Sequence, residues 1–148
     1  MHAVKAALVE GIVPGGGVTL INLQQAITIP QSAVGADDVA VTNGAWLLSR
    51  ALEQPFRILL NNAGLNADEW LPQVRNGKPG FGVNVNDPTK LVDLKAAGVI
   101  DPARVTKEAL QNAVSIAGTS MTMGALVVDV PEPKSAAPAP DMGGMGMM

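Results

Sequence analysis

Four short stretches hold the groups that could do chemistry. The first is Pro14-Gly15-Gly16-Gly17. Three successive glycines bare the backbone, and bare amides at a helix N-terminus bind anions. The stretch matches neither G-x-x-x-x-G-K-[ST] nor G-x-G-x-x-G, and no strand is predicted before it. Spacing leaves two readings open: an anion-binding turn, or a hinge where two helices or two domains meet. The second stretch is Asp101-Pro102, which reads as a helix cap followed by proline at the first helical position. A capping carboxylate keeps a second oxygen that a ligand hydroxyl can use. The third is "GFGVNVN", where Phe81, Val83 and Val85 alternate with Gly82 and Asn84 at the period of a strand. Asn84 and Asn86 then share a face and offer donors and acceptors suited to a base edge; a plain surface hairpin is the alternative. The fourth is the set of acids Asp37, Asp38, Asp68 and Glu69. Their adjacent pairs suit the positive ends of helices better than a hydrolytic carboxylate pair. His2, the only histidine, has no partner for chemistry. The run Ile58-Leu59-Leu60-Asn61-Asn62 reads as core.

Composition narrows the classes. The protein has 148 residues, suiting one domain or a piece of one. Charged residues make up only 16%, below the usual share of about 25%, which hints at surface covered by other protein. The net charge of −3 gives no basic footprint for nucleic acid. With two Trp, two Phe and no Tyr there is little to stack bases on. No cysteine is present, so disulfides, zinc–thiolate sites and cysteine nucleophiles are excluded. No apolar run reaches the roughly 18 residues of a membrane span, and the start carries no secretory pattern.

The elements that must position these groups are mostly helical. Residues 3–13 and 17–28 read as helices on either side of the glycines, the second stopped by Pro30. Asp37-Asp38 begins a third, and Pro55 divides it from "FRILLNNAG", for which Gly64 is the closing glycine. "NADEWLPQVRNG" is a short helix capped by Asn66 and stopped by Gly77. "KLVDLKAAGVI" reads as a helical turn ending at Gly98. The long helix after Asp101 carries a face of small and medium apolar residues, Val105, Ala109, Ala113 and Ile116-Ala117. "ALVVDV" after Gly124 reads as a strand without a nearby partner, one that must pair with something distant or in another subunit. From Pro131 the Pro/Ala-rich and then Gly/Met-rich tail cannot bury enough apolar area to order itself.

"EGIVPGGGVTL", "ALEQPFRILLNNAG", "GVIDPARVTKEALQNAVSIAGTSM" and the "GGMGMM" end, in that order, resemble the C-terminal portion of a group I chaperonin subunit of the GroEL type. The resemblance spans nearly the whole sequence. It implies a mainly α fold, half of a helical equatorial domain with a short hairpin and a C-terminal strand. Residues 1–9 would end an intermediate-domain helix, 10–130 would form the C-terminal half of the equatorial ATP-binding domain, and 131–148 would be a disordered tail. "PGGG" would be the lower hinge between those domains.

The resemblance also implies site residues. Gly16 would touch the nucleotide through its backbone. Asn84, Val85 and Asn86 would hold the adenine, although the family carries alanine where Asn86 stands. Asp101 would take the ribose hydroxyls while capping its helix, and Leu59 would wall the base pocket. The family grips phosphates and Mg²⁺ with a Gly-Asp-Gly-Thr-Thr-Thr loop that this sequence lacks. ATP or ADP would be the ligand, with Mg²⁺ and K⁺ held by residues outside this sequence and no catalytic residue within it. The partners implied are identical subunits in two stacked seven-membered rings, a lid-forming co-chaperonin and unfolded polypeptides, in the cytoplasm, with neither nucleic acid nor membrane. Arg57 and "GLNADEW" would lie near the ring–ring contact, which would lack the family's glutamate near Asn66. Two other readings remain at this point: a non-enzymatic helical assembly module, and a stand-alone nucleotide enzyme built on "PGGG".

Overall fold

A computed structural model describes residues 2–27 and 35–130. The alanine-rich start forms α1, His2–Glu10, and Gly11 ends it at φ 83°, donating its N–H to the Ala7 carbonyl at 2.9 Å. The helix expected over 3–13 therefore stops short. Ile12 and Val13 are β-branched and go instead into β1, Ile12–Pro14. Its partner is β4, Ile100–Pro102, antiparallel, with Ile12 opposite Pro102, Val13 opposite Asp101 and Pro14 opposite Ile100. A strand thus does precede the glycines, and helix does not pass directly to helix there.

The glycine turn leads into α2, Val18–Leu23, followed by a 3-10 turn at Gln24–Ala26. Thr28 and the expected stop at Pro30 lie outside the described residues, as does the tail from 131 onward. α3 is Ala36–Ala51, with Asp37 and Asp38 in its first turn as expected. α4 is Gln54–Asn62, with Pro55 in the first turn where its missing N–H costs nothing. It closes on Gly64 at φ 75°: the Gly64 N–H reaches the Asn61 carbonyl and the Leu65 N–H the Leu60 carbonyl. Such paired bonds satisfy helix-end carbonyls only if one residue turns left-handed, so glycine belongs there. α5, Ala67–Asn76, is capped by Asn66, whose side-chain oxygen accepts the Asp68 N–H at 3.0 Å.

A hairpin follows, β2 (Phe81–Val83) against β3 (Leu91–Asp93), with Gly82 opposite Val92. The helical turn expected over 90–100 is in fact β3 and then a single turn. The Asp93 carboxylate accepts the Lys95 and Ala96 N–H groups, and Gly98 closes the turn at φ 75°. α6 is Ala103–Met121. The strand expected over 125–130 does not form: the segment is exposed, Val127 to 93%. A strand exists only through its neighbour's hydrogen bonds, and none of the described residues supplies them.

The core gathers Val18 and Ile21 from α2, Phe56 and Leu60 from α4, Ala67, Leu71 and Val74 from α5, Val83 from β2, and Leu94. Trp70 packs against it. α1 and α6 bury no side chain. They touch each other through Glu10, whose carboxylate receives Lys107 Nζ at 2.6 Å.

Among the described residues, one carboxylate is buried. Glu53, 4% exposed, opens α4 and draws three elements together. Its Oε1 accepts from Gln24 Nε2 at 3.2 Å and from the Arg75 guanidinium of α5; its Oε2 accepts from Arg57 at 3.3 and 3.4 Å. Arg57 also bonds Asp68, and that bond, above all, holds its guanidinium more firmly protonated than usual. Burial alone pushes the Glu53 carboxyl up. The Gln24 hydrogen bond and the charges of Arg75 and Arg57 together outweigh it, so its pKa falls below the ordinary 4.5.

Close backbone approach at Gly17 sets a test of the packing. A β-carbon there would lie 2.9 Å from the Phe56 nitrogen, at a φ of 77°. Gly64 is equally left-handed but faces open space. Gly64→Ala should cost about 1 kcal/mol of strain, and Gly17→Ala roughly 2–4 kcal/mol because α4 must also move. Urea midpoints of the two variants check the order.

A folded pKa below the ordinary value means Glu53 contributes its stability fully above pH 4.5 and loses it as pH falls through the folded value. Glu53→Gln should therefore cost about 1–3 kcal/mol at neutral pH. Its deficit against the parent should shrink as pH drops below the ordinary glutamate range. Urea titrations of both proteins across acid pH measure that difference.

Candidate functional site

The three glycines do different jobs. Gly15 is buried, donates its N–H to the Val99 carbonyl at 2.9 Å, and has the 99–100 backbone 3.2 Å from where a β-carbon would sit. Gly17 is pressed against Phe56. Both are spent on packing. Gly16, half-buried at φ 64°, has only a Val99 methyl at 4.0 Å beside its missing β-carbon. Of the three, Gly16 alone presents an open backbone face.

The ladder brings Asp101 to the same place. Asp101 lies opposite Val13, and Gly16 follows Val13 by three residues, past Pro14 at the end of β1 and into the glycine turn. Asp101 is exposed. It does not cap α6, contrary to the sequence reading. Pro102 holds the cap position, at φ −67° and ψ 128°, and has no side group to accept from the first N–H groups of the helix. The cause is the ladder: the Ala103 N–H continues it to the Gly11 carbonyl at 3.1 Å, so residues 101 and 102 stay extended. Freed from capping, the carboxylate has more acceptor capacity to offer, not less.

The hairpin leans on the same turn. Gly80 lies against Pro14, with 3.6 Å between the Pro14 ring and the missing β-carbon, and Gly82 lies against Val18 and Leu94. Val83 is buried and Asn84 follows it, half-buried. Asn84, Val85 and Asn86 are not strand residues, so Asn84 and Asn86 do not share a strand face. Asn84 folds back, its side-chain oxygen accepting the Asn86 N–H at 3.1 Å and its carbonyl the Asp87 N–H at 3.0 Å. Short asparagine side groups prefer such turns to ladders. Leu59 stands one helical turn beyond Phe56 and is 47% exposed. Gly16, Asp101 and the root of the hairpin thus share one neighbourhood, while Leu59 reaches it only through α4.

The bare backbone of Gly16 and the exposed Asp101 carboxylate are groups that can accept or approach a ligand, and the hairpin that carries Asn84 is rooted beside them. Among the described residues no three His, Asp or Glu side groups gather as a metal site would need. No described helix is long and apolar enough to cross a membrane. Two grooves open elsewhere. One, about 460 Å³, runs between α1 and α6 past Lys5, Val9 and Arg104. The other, about 300 Å³, lies over Glu53 between Trp46, Arg50 and Arg75. Neither the buried carboxylate nor its groove was signalled in the sequence. Glu53 stands two residues before Pro55 like any helix-opening acid, and nothing in the spacing ties it to Arg75. Arg57, expected near a ring–ring contact, is engaged within its own subunit.

Comparison with known proteins gives these features a context. The sequence profile of the TCP-1/cpn60 chaperonin family matches residues 1–131. Among solved structures, the fold is similar to the crystal structure of a group III chaperonin in the open state, at a TM-score of 0.68 and 30% identity. The match covers 82% of this protein and 25% of that one, so the sequence spans a quarter of that subunit's length. Helices with short antiparallel strands, a glycine turn beside a carboxylate strand, and a profile running through all of the described residues lead to one conclusion: the chain belongs to the TCP-1/cpn60 chaperonin family.

Proposed function

We propose that this protein forms the adenine and ribose side of the nucleotide site of an ATP-dependent chaperonin. The observation that carries the reading is the open face of Gly16, set close to Asp101 by the β1–β4 ladder. Gly16 binds through its backbone, where a side group would collide with the ligand. Asp101 accepts from the ribose hydroxyls. Asn84, Val85 and Asn86 bound the base, with Leu59 along its apolar side. The Asn84 turn pre-orders that loop, lowering the entropy lost on binding.

The complete machine in this reading is of the group I, GroEL type, on the strength of "EGIVPGGG" and the Gly/Met ending. Identical subunits form two stacked seven-membered rings, a co-chaperonin closes the cavity, and ATP turnover drives folding of enclosed polypeptides in the cytoplasm. Residues 1–9 belong to the intermediate domain, 10–130 to the equatorial domain, and 131–148 to a tail. The exposed apolar residues of α6 and of 126–130 fit a surface that other protein covers. Mg²⁺ and K⁺ would neutralise phosphate charge, held in this reading by residues outside this sequence.

Two outcomes test the reading. In a complete subunit carrying this segment, Gly16→Val should weaken ADP binding at least roughly tenfold, and Asp101→Asn should weaken ADP but not its 2′,3′-dideoxy analogue. Calorimetric titration measures both, and unchanged affinities return the protein to the alternative of a non-enzymatic assembly module. The 148-residue protein by itself should release no phosphate from ATP above background, because phosphoryl transfer needs charge stabilisation at the phosphates. A phosphate-release assay decides this, and turnover would favour a stand-alone enzyme built on "PGGG".

A further inference from the structure

Two asparagines precede glycine in this sequence, Asn43 before Gly44 and Asn76 before Gly77. Their dipeptides are chemically the same and structurally opposite. Asn43-Gly44 lies inside α3, with helical turns on both sides and the Gly44 amide within the regular helix. Asn76 is the last residue of α5, exposed, and Gly77 is already extended at φ −80° and ψ −179°. The Gly77 N–H has one bond, to the Val74 carbonyl at 3.3 Å, the long end of the range. Glycine is required at 77, because a β-carbon there would lie 2.8 Å from the Gln73 carbonyl oxygen. The fold therefore keeps the unshielded neighbour that makes an asparagine labile.

We infer that Asn76 is a site of spontaneous modification, converting through a succinimide to isoaspartate and aspartate while Asn43 is protected. The Gly77 backbone nitrogen attacks the carboxamide carbon of Asn76 and gives up its proton. The bond from that carbon to the Asn76 amide nitrogen breaks, and ammonia leaves with the proton. Water then opens the ring at either carbonyl, giving aspartate or its isomer. Water is the only co-reactant. The product places a new carboxylate beside Arg75, the residue that reaches Glu53, and at the negative end of the α5 dipole. Isomerisation also lengthens the backbone next to the Arg75 carbonyl, which Gln25 Nε2 meets at 3.4 Å.

The test is ageing of the full-length protein in warm, mildly alkaline buffer, with folding followed by circular dichroism and products by peptide mass mapping and isoaspartyl methylation. In the folded protein Asn76 should convert at least roughly tenfold faster than Asn43, since helix α3 must open before Gly44 can react. In urea the two rates should converge. Asn76→Gln should remove the methylation signal. Equal rates at the two sites while the protein is folded, or a signal that survives Asn76→Gln undiminished, would overturn the assignment.

Discussion

Three backbone pairings between β1 and β4 hold this site together. Residues 12–14 and 100–102 lie far apart in the sequence, and closing so long a loop has an entropic cost. In return the ladder fixes everything the candidate site needs. It sets Gly15 against Val99, turns Gly16 outward, keeps Asp101 extended, and delays α6 until Ala103. If the ladder slipped by one residue, Asp101 would point to the other side. The position of its carboxylate relative to Gly16 is thus a property of register and not of any contact between side groups.

The rest of the fold braces that ladder from behind. Phe56 is seated on Gly17, so the start of α4 and the glycine turn hold each other. Glu53, one turn earlier on α4, ties the helix to the 3-10 turn through Gln24 and to α5 through Arg75. A buried carboxylate is costly unless its acceptor positions are filled, and here donors from three elements fill them. Hydrophobic packing brings α2, α4 and α5 together; the Glu53 bonds select one mutual orientation among those that packing allows.

What could be read in advance was what depends on local chemistry. Asn66 as a cap, Pro55 at a helix start, Gly64 as a helix end and the acids of α3 each act on neighbours within a few positions, and each stands where expected. The misreadings share a cause: a partner far along the sequence overrode the local preference. Ile12 and Val13 left their helical pattern because β4 was available. Asp101 gave up the cap because Ala103 joined the ladder. Residues 91–93 paired with 81–83 instead of coiling. Val127 and its neighbours show the converse, strand-forming residues with no ladder to join among the described residues. Of the candidate site, the family resemblance named Gly16 and Asp101 as expectations, and only the register shows how their strands lie against each other.

The two tryptophans fall on opposite sides of this division. Trp70 packs against the core, whereas Trp46 is 56% exposed, its ring 5.5 Å from the Arg50 guanidinium carbon. Because the sequence has no tyrosine, ultraviolet emission comes almost wholly from these two indoles. The protein thus holds a built-in pair of optical reporters: one shifts to longer wavelength when the α4–α5 packing opens, and the other registers whatever comes to rest on α3.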